Sequence, residues 1–232
     1  MKVLAVLILA LVTTLFAQQR PAPKVKTGQI NEKQQYKSSG GKFTITVPAA
    51  RNPFVRTYNL RESRLKYENV AEKTALDYED VVFQIGDMGQ AYGAGVRRIP
   101  QLALEQMAKE GPKQTLSNLS GKALFQWRDN YAEEPQPVDE AQVQTQFGEG
   151  LFRIYLAKKS SLLVSGRGSG QAGVPPKMEK SDARIAVLVV KKGDSFIYAT
   201  AEDEYIDAGA APLDLRKQLA GFFASMTVKF PE

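Results

Sequence analysis

Neither histidine nor cysteine occurs anywhere in the 232 residues, and tryptophan occurs once. The missing histidine removes the side chain that most often shuttles protons near neutral pH and most often ligates transition metals. Catalytic sites built on a histidine base, and zinc sites built on histidine or cysteine, are therefore excluded. The missing cysteine excludes thiol chemistry and a bacterial lipoprotein anchor, and it leaves the fold to hold by burial alone. Carboxylate, lysine, serine or tyrosine chemistry remains, as does hard-cation binding by oxygen ligands.

Long apolar runs are scarce too. One opens the chain: Lys2 is followed by Val3 to Phe16, broken only by Thr13 and Thr14, and then by Ala17 before Gln18-Gln19-Arg20. That order of charge, apolar core and small residue is a secretory signal, with cleavage expected near Ala17. The run is shorter than the roughly 20 residues that span a bilayer. Charges interrupt every later apolar run, so no transmembrane segment is expected in the mature chain, which is placed as secreted or periplasmic. Three parts follow: a signal peptide at 1–17, a flexible leader at 18–41 rich in Gln, Lys, Pro, Ser and Gly, and a single domain at 42–232.

Charge of one sign is not concentrated anywhere. The 31 basic and 25 acidic residues give a net charge of +6, and the signs are interspersed. The densest basic stretches, Lys24 to Lys42 and Arg51 to Lys66, hold only Tyr36, Phe54 and Tyr58 between them. That is too few for a base-stacking platform, so no nucleic-acid partner is expected.

Lys42 to Pro48 alternates, with Phe43, Ile45 and Val47 on one face, and predicts a half-buried strand ended by proline. Further strands are expected at Val81 to Ile85, Tyr92 to Arg98, Ala123 to Arg128, Val143 to Phe147 and Phe152 to Leu156. The last two flank a hairpin loop at Gly148-Glu149-Gly150. Arg184 to Val190 is apolar on both faces and belongs in the middle of a sheet, joined through Lys192-Gly193-Asp194 to Ser195 to Ala201. Helices are expected from Pro100 to Lys109, stopped by Gly111-Pro112, and from near Pro212 through Leu215, Leu219, Phe222, Phe223 and Met226. The latter packs on the sheet before a closing strand at Thr227 to Phe230. Antiparallel hairpins with few, segregated helices make the class α+β: a largely antiparallel sheet with helices packed on it.

Several constellations invite chemistry, and each has a plainer structural explanation. Gly168 to Gly173 matches G-x-G-x-x-G, but Val174-Pro175-Pro176 blocks the helix that a dinucleotide fingerprint must open. The run Glu202, Asp203, Glu204, Tyr205, Ile206, Asp207 lacks calcium-loop spacing and suits the approach to a helix N-terminus; whether its carboxylates bind a cation is left open. Glu133-Glu134 and Asp139-Glu140 sit around Pro135 and Pro137 as a solvated loop, poorly placed to straddle a glycosidic bond. Ser39-Gly40-Gly41-Lys42 and Ser63-Arg64-Leu65-Lys66 match S-x-x-K without an S-D-N partner, and Lys26-Thr27-Gly28 lies in the leader. Trp127 and Phe125 alternate with Ala123 as core residues. Asn118-Leu119-Ser120 satisfies the N-glycosylation pattern. No catalytic residue and no cofactor is assigned.

Gly41 to Pro48, the middle hairpins, and the closing helix ending in Gly221-Phe222-Phe223-Ala224-Ser225-Met226 together resemble the PsbP-like fold. That fold is the α/β/α sandwich of photosystem extrinsic proteins and of a Ran-binding import factor. The resemblance implies a non-catalytic accessory or binding module, and it carries over no functional residue. The expected function is thus an exported binding or accessory protein whose partner is a protein or an envelope component. The alternatives are a carboxylate-dependent hydrolase and an envelope-associated protein tethered by its basic leader.

Overall fold

The computed structural model describes residues 27–48, 55–59, 78–85, 90–124, 133–162, 178–204 and 214–230. Its centre is the run that is apolar on both faces. It forms β8 (Met178–Lys192), turning at Gly193 into β9 (Ser195–Glu204). Gly193 has φ +58°, a backbone conformation that costs a residue with a Cβ and suits a tight hairpin. Outward from β8 lie β7 (Gly148–Leu162) and β6 (Gln136–Thr145); outward from β9 lie β5 (Gln90–Arg98), β4 (Tyr78–Ile85) and β3 (Val55–Asn59). All seven strands pair antiparallel, in the order β3-β4-β5-β9-β8-β7-β6.

The period of two divides the core in half. Ile185, Val187 and Val189 of β8 join Leu151, Tyr155 and Tyr198 on one face. Over them pack α1 (Gln101–Met107) and α2 (Pro112–Leu124), through Met107, Leu116, Leu119 and Ala123. Ala186, Leu188 and Val190 point the other way, toward α3 (Leu215–Ala224) and its Leu215, Leu219, Phe222 and Phe223. Burial of each such Leu or Phe contributes about 1.5–3 kcal/mol. A second, three-stranded sheet completes that face: β1 (Gln35–Lys37) and β10 (Thr227–Val228) flank β2 (Phe43–Thr46). Tyr36, Phe43 and Ile45 are fully buried there. Helices therefore cover both faces of the main sheet, and the class is α+β.

The helix ends show how the chain closes. Asp214 accepts a hydrogen bond from the Lys217 backbone N–H at 3.0 Å, satisfying a donor that the first turn of α3 leaves open. At the other end the Gln146 amide donates to the carbonyl oxygens of Phe223 and Met226, both at 3.1 Å. Among the described residues, no helix is long and apolar enough to cross a membrane.

Several expectations are corrected. Ala123 and Leu124 end helix α2 rather than begin a strand; Phe125 and Trp127 lie outside the described residues. α1 ends at Met107 with Ala108 as its C-cap, before Gly111-Pro112 is reached, and Pro112 starts α2, because its fixed φ and missing N–H suit a first helical position. The β6–β7 turn is Gln146-Phe147, since Thr145 pairs with Gly148 and the glycines already belong to β7. Asp139 and Glu140 lie in a strand rather than a loop. β10 closes the small sheet, not the large one. Residues 27–41, which composition assigns to the leader, carry β1 and the buried Tyr36. The segments 1–17, 63–66, 168–173 and 205–213 lie outside the described residues.

Candidate functional site

Strand register brings together a buried pair of opposite charges. Asp80 stands opposite Gly95, and Gly95 opposite Tyr198, so three neighbouring strands contribute one row on the face of α1 and α2. Arg97, two residues along β5, leans back over that row. Its guanidinium donates to Asp80 at 2.7 Å through Nη2 and at 3.1 Å through Nε. Nη2 also donates to the Tyr198 hydroxyl at 3.2 Å, and Nη1 to the Lys122 carbonyl of α2 at 3.3 Å. Tyr198 in turn donates to Asp80 at 2.6 Å. Glycine is required between them for space: a Cβ on Gly95 would sit 2.6 Å from the Tyr198 ring and closer still to the Asp80 carboxylate.

Electrostatics mark this network as a lock. Burial, with the Asp80 charge adding to it, holds the Tyr198 phenol well above its ordinary value. Desolvation opposes the charge on Arg97, but Tyr198 and Asp80 outweigh it and raise the guanidinium pKa. A neutral phenol, a carboxylate and a guanidinium that satisfy one another have structural work. The network ties β4, β5 and β9 to the last turn of α2.

Glu79 plays a matching part on the opposite face. It is buried and accepts from the Ser38 hydroxyl at 2.6 Å, the Lys42 N–H at 2.9 Å and the Gly40 N–H. Ser39 to Lys42, an S-x-x-K match by spacing, is thus the turn that Glu79 clasps. The acidic run is divided by the pleat. Glu202 and Asp203 are buried on opposite faces near the end of β9, and Asp203 pairs with Arg184 at 3.1 Å. Glu204 ends the strand and Asp207 lies outside the described residues. Among the described residues, no three carboxylates converge as a metal site would need.

The surface carboxylates of β6 divide likewise. Asp139 meets Arg216 of α3 at 2.9 Å, whereas Glu140 meets Arg153 and Lys113 on the other face. Hydrogen bonds from Arg153, and then Lys113, hold the Glu140 carboxyl below its usual range. The glycosylation pattern lies within α2, where Asn118 donates to Glu110 at 2.8 Å and buried Ser120 bonds the Tyr155 hydroxyl at 2.9 Å. Both ends of that motif are engaged in packing.

One open feature has the form of a binding site. Where α1 turns into α2, over the ends of two hairpins, a cleft of about 350 Å³ opens. Leu104, Met107 and Leu116 make its apolar floor, and Glu110, Glu149 and Lys191 supply its charges. Asn118 holds Glu110, and the Lys191 ammonium donates to the Gly193 carbonyl at 2.8 Å. An apolar floor with a few convergent polar groups is the usual make-up of a ligand site, and the volume lies within the roughly 300–1,000 Å³ such sites occupy. Sequence reasoning missed this cleft because α2 itself was not legible.

No protein-family model matches the chain. No curated protein matches it either. A crystal structure from Bacteroides thetaiotaomicron aligns with 86% of this chain at 7% identity and a TM-score of 0.36. The chain spans 50% of that structure's length. At that score nothing is carried over.

Proposed function

We propose that this chain is an exported, non-catalytic binding or accessory protein that engages its partner at the α1–α2 cleft. The observation that carries this reading is the cleft itself, an apolar floor of Leu104, Met107 and Leu116 under a charged rim. The engagement of Asp80, Arg97 and Tyr198 with one another, and of Glu79 with Ser38, Gly40 and Lys42, supports it by giving these buried groups structural partners. The signal-like opening of the sequence supports export, and the PsbP-like resemblance suggests an accessory role by analogy alone.

Affinity purification of the tagged mature protein from its native envelope is the test. The wild type should recover a reproducible partner, and Ala108→Arg should lose it; Ala108 is exposed and lines the cleft, so the arginine obstructs it without entering the core. Recovery of no partner, or equal recovery by Ala108→Arg, contradicts the reading. A carboxylate-dependent hydrolase is the competing reading, favoured by Glu110 and Glu149 lining one cleft. It requires turnover that disappears in Glu110→Gln or Glu149→Gln.

A further inference from the structure

The polar groups that line the α1–α2 cleft are not equally open. The Thr115 hydroxyl donates to the Met107 carbonyl at 3.4 Å, and the Lys191 ammonium donates to the Gly193 carbonyl at 2.8 Å. Glu110 accepts from the neutral amide of Asn118 through Oε2 alone, which holds the side chain without cancelling its charge. Glu149 lies one step before the Gly150–Val190 pair, on the pleat that carries Leu151 and faces α1 and α2. It is exposed, and its carboxylate has no hydrogen bond or ion pair among the described residues. The cleft thus sets two carboxylates against one ammonium, and that ammonium is already held by a carbonyl.

Charge and shape together choose among occupants. A purely apolar group would cover Leu104, Met107 and Leu116 but take water from the carboxylates and return no hydrogen bond, which is costly. An anion would meet two like charges and only one ammonium. A cation on a long aliphatic stem satisfies both parts, because its methylenes lie on the apolar floor while its head reaches the open carboxylate oxygens. Met107, unbranched and polarizable, is a surface that adapts to such a stem. The volume of about 350 Å³ is near the lower end for ligand sites, so it suits one long side chain rather than a helix.

Resting on the reading of this cleft as the recognition site, we propose that it takes a basic side chain, arginine above lysine, presented by an extended segment of a partner protein. The stem lies across Leu104, Met107 and Leu116, and the head bonds Glu110 and Glu149. Glu149 has both oxygens open for the forked donors of a guanidinium, and Glu110 adds its Oε1. Burial of the stem holds the segment, and the carboxylates select which segment is held.

The probes are capped glycine peptides about five residues long with arginine, norleucine or glutamate at the centre, titrated into the ¹⁵N-labelled protein. Arginine should give saturable shifts of the amides between Leu104 and Leu116. Norleucine, which keeps the stem and lacks the charge, should bind about tenfold more weakly, the scale of two partly exposed charge pairs, and glutamate more weakly still. The double variant Glu110→Gln, Glu149→Gln should erase the advantage of arginine over norleucine, while the new amide oxygen at 110 still serves Asn118. Absence of shifts with the arginine peptide overturns the proposal, as does equal affinity for norleucine or an arginine advantage that persists in the double variant. Butylguanidinium binding as tightly as the arginine peptide would give the cleft to a small cation, and peptide-free, concentration-dependent shifts of the same amides would give it to a second copy; either result overturns it. In the envelope capture, the partner should be lost in both Ala108→Arg and the double variant. Loss in Ala108→Arg alone retains the cleft reading and removes this one, and retention in both removes both.

Discussion

Replacing Gly95 with alanine should destabilise the domain by about 3–5 kcal/mol, the cost of breaking a buried ion pair. The added methyl would lie 2.6 Å from the Tyr198 ring and nearer still to the Asp80 carboxylate, so one of the two must move. Neither moves freely: Tyr198 is fully buried, and Asp80 accepts from both Arg97 and Tyr198. Overpacking alone costs about 1–3 kcal/mol, and displacing the carboxylate leaves the Arg97 charge short of its partner. Gly221→Ala is the control. It sits exposed within α3 with nothing within 4 Å of a new Cβ, and should stabilise by about 0.5–1 kcal/mol. Urea unfolding followed by circular dichroism measures both. A Gly95→Ala loss below about 1 kcal/mol, with Gly221→Ala behaving as stated, would refute the view that this row is tightly locked.

Three further outcomes follow from the same contacts. Because the folded phenol of Tyr198 titrates above the unfolded one, its contribution to stability should be constant below about pH 10 and fall above it by up to about 1.4 kcal/mol per pH unit; Tyr198→Phe should abolish that share of the slope in urea midpoints measured against pH. Glu79→Gln replaces one acceptor with a donor facing Ser38, Gly40 and Lys42, and should cost about 1–3 kcal/mol while opening residues 27–42 to limited proteolysis; undiminished protease resistance would contradict the clasp. Asp214→Ala removes the acceptor at the start of α3 and should cost about 1 kcal/mol by thermal or chemical unfolding, whereas Asp214→Asn should restore most of it.

The sequence disclosed those elements whose pattern is local. β2 shows strict alternation, β8 is apolar on both faces, and α3 carries a stripe of Leu and Phe; each needs only neighbours in the chain to be recognised. α2 escaped because Gly111-Pro112 reads as a stop, while Asn118, Ser120 and Gly121 dilute its apolar stripe. Its buried face includes Thr115 and Ser120, whose hydroxyls bond Met107 and Tyr155. The turn at Gln146-Phe147 was masked by the glycines of Gly148-Glu149-Gly150, which are stronger local turn signals. The lock was beyond reach for a different reason. Asp80 and Tyr198 meet only because β9 returns beside β5, and separations of that kind leave no periodic trace. The one local signal was Gly95 inside a strand, a position that often marks close approach of another group. The cleft depends on α2 and on two hairpin ends, so it could not be assembled before the topology was known.

The proposed recognition at the α1–α2 cleft stands against a structural role for the buried Asp80, Arg97 and Tyr198. Amide hydrogen exchange on the captured complex tests it most directly. Exchange should slow at residues 104–116 and beside Glu149 and Lys191, and remain unchanged around Asp80, Gly95 and Tyr198. Protection confined to the Asp80 row, or no change across residues 104–116, would contradict it.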